Sequence, residues 1–149
     1  SLSLAADIRI GSSAARFNAA FVRIGLSAGD LGASWLLSRL IGPARAAEFA
    51  YTGRLIDAVE AEDIGLINTI VPPDALISEA VSMAEKICSN SPGGVQLSKR
   101  ALQANMEVAS YAAALELENR GQALLTRGQD MPEALAAFKE KRAPRFTGK

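Results

Sequence analysis

Asp30 stands inside Gly-Leu-Ser-Ala-Gly-Asp-Leu-Gly, residues 25–32, a glycine-punctuated stretch between an apolar segment and a helical pattern. A carboxylate placed there, near Phe21, Leu31 and Trp35 in the chain, suits a general acid or base. The same residue would equally cap a helix beginning at Leu31, as aspartate commonly does. The two roles are compatible, because a helix N-terminus is itself an anion site. The glycine spacing is not that of a dinucleotide-binding loop.

The other candidates are weaker. Glu116 and Glu118 lie two apart on a helical pattern, so they face different directions and read as solvated surface. Ser1 has no internal partner that would activate it as a nucleophile. Trp35 reads as core or pocket wall, and Cys88, on an amphipathic pattern, as inert packing. Residues 138–149 carry Lys139, Lys141, Arg142, Arg145 and Lys149 against Glu140 alone, a basic end that is either solvated or a phosphate contact.

Composition excludes more than it suggests. The 149 residues hold no histidine and one cysteine, so histidine triads, histidine-ligated zinc, thiolate clusters and an internal disulfide are all ruled out. No metal is expected, and the lone cysteine fits a reducing, cytoplasmic setting. Sixteen basic residues balance sixteen acidic ones, which points to neither nucleic acid nor a membrane surface. With 49% hydrophobic residues but no apolar run near 18 residues, a soluble α/β chain is expected. The opening Ser-Leu-Ser-Leu lacks an initiator Met and a signal-peptide n-region, and reads as a start in mid-element, either a fragment or a processed chain.

The elements that must position Asp30 follow from periodicity. A short helix end over residues 1–6 leads into a strand at Asp7-Ile-Arg-Ile, Gly11-Ser-Ser is read as a turn, and residues 15–18 as a further short strand. Residues 21–26 continue as extended, buried chain. A helix over residues 31–40 presents Leu36, Leu37, Leu40 and Ile41, and Gly42 stops it. Pro43 opens the next helix, which Gly53 closes. Asp57 and Glu60 form a capping-box pattern, residues 66–71 are β-rich, and Pro72-Pro73 ends the α/β part. Four helices fill residues 75–142, the last with Asp130 read as its cap and Glu133 at the third position. They carry more apolar surface than residues 1–73 can cover, which suggests a partner subunit.

The strings LSLAADIRIGSSAARF, VRIGLSAGDLGASWLLSRLIGPARAAEFAYTGRLIDAVEAEDIGLINTIVP, SPGGVQLSKRALQAN and EALAAFKEKRAPRF together resemble the crotonase family of enoyl-CoA hydratases and isomerases. The resemblance runs in order through essentially the whole chain. It implies a ββα spiral, of which residues 1–73 are the second half of the core, followed by a helical oligomerisation region at 74–149. It also implies an acyl-CoA thioester as substrate, coenzyme A as part of that substrate with no other cofactor, and a homotrimer or hexamer. A preceding half is expected to carry the peptide N–H groups that hold the thioester carbonyl. Laid on the family pattern, Ser1 and Phe21 occupy the positions of the two hydratase glutamates. Two-glutamate hydration is therefore not expected, and Asp30 is the remaining acid or base. Ala20, Phe21, Ile24 and Gly29 match residues that line the acyl and thioester end of the pocket, and Lys141 matches a contact to CoA phosphates or adenine. An acyl-CoA-processing enzyme is the leading reading that the resemblance implies; the runner-up is a non-catalytic acyl-CoA-binding or oligomer-forming homologue, and the third an inactive C-terminal fragment.

Overall fold

The computed structural model describes residues Ser1–Lys149 and divides them into two compact units, Ser1–Val81 and Ser82–Lys149. The fold is mixed α/β, with seven helices and four short strands.

In the first unit the strands make two small sheets. Strand β1 (Ile10–Ser12) runs parallel to β4 (Thr69–Val71), pairing Ile10 with Thr69 and Ser12 with Val71. Strand β2 (Arg16–Phe17) runs antiparallel to β3 (Ile56–Asp57). Gly11 is therefore in a strand, not in the turn expected there. A Cβ at that position would lie 2.6 Å from Ile67 Cδ1, so any larger residue there would displace the end of the Ile67 side chain. Arg9 ties the same edge from the side. Its Nε donates to the Leu66 carbonyl at 2.6 Å, and its own N–H donates to Asn68 Oδ1 at 2.8 Å.

Helix α1 (Ala33–Ile41) buries Ala33, Leu37 and Ile41, and α2 (Pro43–Thr52) buries Ala46 and Phe49. Pro43 supplies the fixed φ of a first helical residue, and Gly53, at φ 56°, closes α2 in the left-handed region. These faces join Ala19, Ile56, Ala61, Leu66 and Ile67 in one core cluster. Asp57 caps α3 (Ala58–Asp63) as read, its Oδ1 accepting the Glu60 N–H at 2.9 Å. Glu60 does not return the bond, because its carboxylate is drawn to Arg54.

The extended reading of residues 21–26 is corrected. Ala20–Ile24 is a 3₁₀ turn closed by Gly25 at φ 78°, with the Leu26 N–H donating back to the Phe21 carbonyl at 2.9 Å. Ile24 and Leu26 are exposed.

Helix α4 (Leu76–Cys88) begins in the first unit and ends in the second. In the second unit, α5 (Pro92–Asn105) packs on α6 (Tyr111–Leu125), and α7 (Asp130–Glu140) follows. Gly93 permits that approach, since a Cβ there would meet Leu125 Cδ2 at 3.0 Å. Helices α4, α5 and α6 contain no buried residue, and Ile77, Leu102, Leu124, Leu135 and Phe138 are more than half exposed. Cys88, read as inert packing, is exposed in this chain. No helix is long and apolar enough to cross a membrane.

Candidate functional site

The 3₁₀ turn Ala20–Ile24 carries three of the residues expected to line a pocket. Ala20 and Phe21 are half-buried, Phe21 packing against the core cluster, while Ile24 is 72% exposed. The turn is held close to the end of α2, where a Cβ on Gly53 would lie 3.3 Å from Val22 Cγ2 and 3.2 Å from Arg23 Cγ. Arg54, next in the chain, is fixed by Glu48 at 2.9 Å and by both oxygens of Glu60. The Arg54 hydrogen bond holds the Glu60 carboxyl below its usual range and raises the guanidinium in turn.

The loop after this turn is shaped by small residues and by strain. The Gly29 N–H donates to Ser27 Oγ at 3.0 Å. Leu31 and Gly32 then take successive left-handed conformations, at φ 48° and 77°. That double reversal delays α1 until Ala33, so its N-cap is Gly32, which has no side chain to offer. The capping role expected of Asp30 is thereby corrected. Its Oδ1 accepts the Leu31 N–H at 2.9 Å, its carbonyl accepts the Ala33 N–H at 2.8 Å, and its exposed carboxylate keeps Oδ2 free of a partner. Trp35 is 41% exposed, with the Arg39 guanidinium 3.5 Å over its ring, so it forms a surface wall. Ser1 is half-buried, and its hydroxyl is enclosed without a hydrogen-bond partner.

Lys141 belongs to the second unit, and the other predicted positions belong to the first. It sits at the C-terminus of α7 with φ 54° and ψ 40°, and it is exposed. The same end of the chain holds a charged cluster that sequence reasoning missed. Glu133 takes a two-pronged bond from Arg142, at 2.6 and 3.0 Å, and accepts the Arg145 N–H at 2.7 Å. Asp130 accepts the Ser91 hydroxyl at 2.7 Å and the Thr147 and Gly148 N–H groups at 2.8 and 3.2 Å. Neither acid makes the cap bond expected of the pair, because the N-cap is Gln129 and has no side-chain bond. Their carboxylates hold the tail instead, and together with Arg142, Arg145 and Thr147 they line a hollow of about 510 Å³. Arg142 pulls the Glu133 carboxyl down to about 2, and the Ser91 hydroxyl lowers that of Asp130. The one available signal was composition: two acids at the head of a helix and a basic segment just beyond its end.

Glu116 and Glu118 are surface groups as read, bonded to Arg120 and Asn105. No three acidic or thiol side chains gather as a metal site would require.

A family model described as Enoyl-CoA hydratase/isomerase matches residues 1–149. A Mycobacterium tuberculosis protein named probable enoyl-CoA hydratase is 44% identical over 149 residues, covering 98% of this chain and 52% of its own. The short-chain-enoyl-CoA hydratase of Clostridium acetobutylicum is 40% identical over 142 residues, covering 95% and 53%. The crystal structure of an enoyl-CoA hydratase from Bacillus anthracis superposes with a TM-score of 0.95 at 38% identity, covering 99% of this chain and 57% of that one. The chain thus spans about half the length of the curated relatives it matches.

Proposed function

The chain belongs to the enoyl-CoA hydratase/isomerase, or crotonase, family, and on that premise we propose that it moves a proton at the enolate of an acyl-CoA thioester, with Asp30 as acid and base. The observation that carries this reading is the Asp30 carboxylate, exposed on a glycine loop with Oδ1 held by the Leu31 N–H and Oδ2 unpartnered. Peptide N–H groups supplied by polypeptide outside these residues would stabilise charge on the thioester oxygen. In an enoyl thioester, breaking the C–H bond beside the carbonyl would leave its electron pair in a conjugated dienolate and its proton on Asp30, which would return it at the γ carbon as the double bond shifts. Ala20, Phe21, Ile24 and Gly29 would line the acyl and thioester end, with Ser1 beside them, and Lys141 would meet the CoA phosphates. Coenzyme A enters as part of the substrate, and no further cofactor is invoked. The exposed apolar faces of α4 to α7 favour a homotrimer or hexamer, and a cytoplasmic setting suits such an enzyme.

Hydration by paired glutamates is not part of this reading, since Ser1 and Phe21 stand where the resemblance places those acids. The Phe21 ring packs against the core cluster and cannot exchange protons. The same observation favours the second reading, a homologue that binds acyl-CoA or builds an oligomer without turnover. A C-terminal piece that is inactive alone is the third.

The test is turnover by the complete protein across a panel of enoyl-CoA thioesters. Isomerisation that Asp30→Asn abolishes supports the proposal, because asparagine keeps the Oδ1 acceptor for Leu31 and removes only the proton transfer. Hydration of crotonyl-CoA at ordinary hydratase rates would refute the lost-glutamate argument. Binding without turnover would select the second reading.

A further inference from the structure

Two non-glycine residues of this chain adopt positive φ, and one of them is Lys141. The end of α7 has the bond pattern of a Schellman turn, with the Lys141 N–H donating to the Phe138 carbonyl at 3.3 Å and the Arg142 N–H to the Ala137 carbonyl at 3.0 Å. The left-handed residue of that turn is usually glycine, since any Cβ there is strained. A long cationic side chain at a strained position needs surroundings that hold the turn in place.

Those surroundings are the next residue and its partner. The Arg142 guanidinium puts Nη1 on Glu133 Oε1 at 2.6 Å and Nη2 on Oε2 at 3.0 Å, while its Nε reaches Glu140 Oε2 at 2.6 Å. Both glutamates lie on α7 itself, so the fork fastens the residue after the turn to the helix before it. The Arg145 N–H, also bonded to Glu133 Oε1, ties the chain three residues further on. The Lys141 side chain therefore leaves from a backbone turn that is clamped on its C-terminal side. No hydrogen bond or ion pair occupies its ammonium.

We propose that Glu133 and Arg142 are positioning residues that hold Lys141 in its left-handed turn for contact with the phosphates of coenzyme A. This rests on the reading of Lys141 as a phosphate contact. The fork contributes no charge to the ligand: it holds the backbone turn the lysine leaves from and lowers the ordering cost of binding. It acts only on substrates that carry the nucleotide end.

The experiment compares the complete protein on an acyl-CoA and on the matching acyl-pantetheine thioester, which lacks the nucleotide and its phosphates. Lys141→Ala tests the underlying reading and should raise KM for the acyl-CoA by on the order of tenfold more than for the acyl-pantetheine thioester. Glu133→Gln tests the inference and should reproduce most of that rise with the same selectivity. Arg142→Lys keeps the cation but cannot form the fork, and it should match Glu133→Gln without removing the Glu133 charge. Lys141→Gly should lose CoA affinity while raising Tm, since glycine relieves the turn. If Lys141→Ala raises KM and both fork variants bind as the parent does, the inference is overturned and the phosphate reading survives. If Lys141→Ala leaves KM alone, both are overturned. A fall in kcat on both thioesters alike would show a general structural role and also overturn it.

Discussion

The two strained corners of this protein treat their carboxylates in opposite ways. At the loop before α1, Leu31 takes the left-handed conformation and the neighbouring Asp30 receives one hydrogen bond from it. At the end of α7, Lys141 takes that conformation, and the nearby acids Asp130 and Glu133 are saturated by a guanidinium, a hydroxyl and three backbone N–H groups. At the second corner the Arg142 guanidinium holds the Glu133 carboxyl low, and the Ser91 hydroxyl lowers that of Asp130. Perturbed acidity is often used to find active sites, yet fastening produces it just as well. Here it marks where the tail is tied down, and the carboxylate left for chemistry is the one with an open oxygen.

The contrast is broken most sharply at Asp30. Asp30→Asn is expected to lower kcat by roughly 10²–10⁴-fold with Tm unchanged, measured by steady-state isomerisation of an enoyl-CoA and by calorimetry. An equal loss of stability would mean that this corner, too, is a fastening.

Next in size is Asp130→Ala, which removes the acceptor for Thr147, Gly148 and Ser91. The tail should open, so limited trypsin digestion at Arg142 and Arg145 accelerates by on the order of tenfold and Tm falls by several degrees. Unchanged digestion would show that the carboxylate does not hold the tail.

A pH titration separates the corners further. The folded Glu133 carboxyl lies near 2 against an ordinary value of 4.5, so its contribution to stability is full above 4.5 and is lost as pH falls from there toward 2. Opening of the tail, followed by trypsin-independent fluorescence of a probe placed at its end, should track that window. Glu133→Gln should remove the acid dependence, and a profile identical to the parent's would exclude Glu133 as its source.

The smallest effect is expected from Leu31→Gly. Leu31 is 78% exposed and strained, so glycine should stabilise the fold by up to about 1 kcal/mol, read from urea denaturation. A destabilised variant would reveal packing by the leucine side chain.

Much of the framework was legible in residue types alone. Pro43 and Gly53 delimit α2, Asp57 caps α3, and the Pro72-Pro73 break is followed by four helices, because each of these signals acts within about four residues of chain. The order of motifs carried the family for the same reason, since it needs no contact to be read. What a side chain does with a distant partner was not legible. Asp130 and Glu133 have the pattern of helix-capping acids, but N–H groups 12 to 18 residues away reach their oxygens first. Residues 21–26 have the composition of a strand, yet a strand needs a neighbour's unpaired backbone, and none lies beside them, so the chain closes on itself as a 3₁₀ turn. Asp30 lost its capping role to two successive left-handed residues, one of them a leucine that no propensity would put there. Sequence determines which local bonds are possible. Tertiary structure decides which of them survive, because an oxygen already taken by a distant donor no longer serves its own helix.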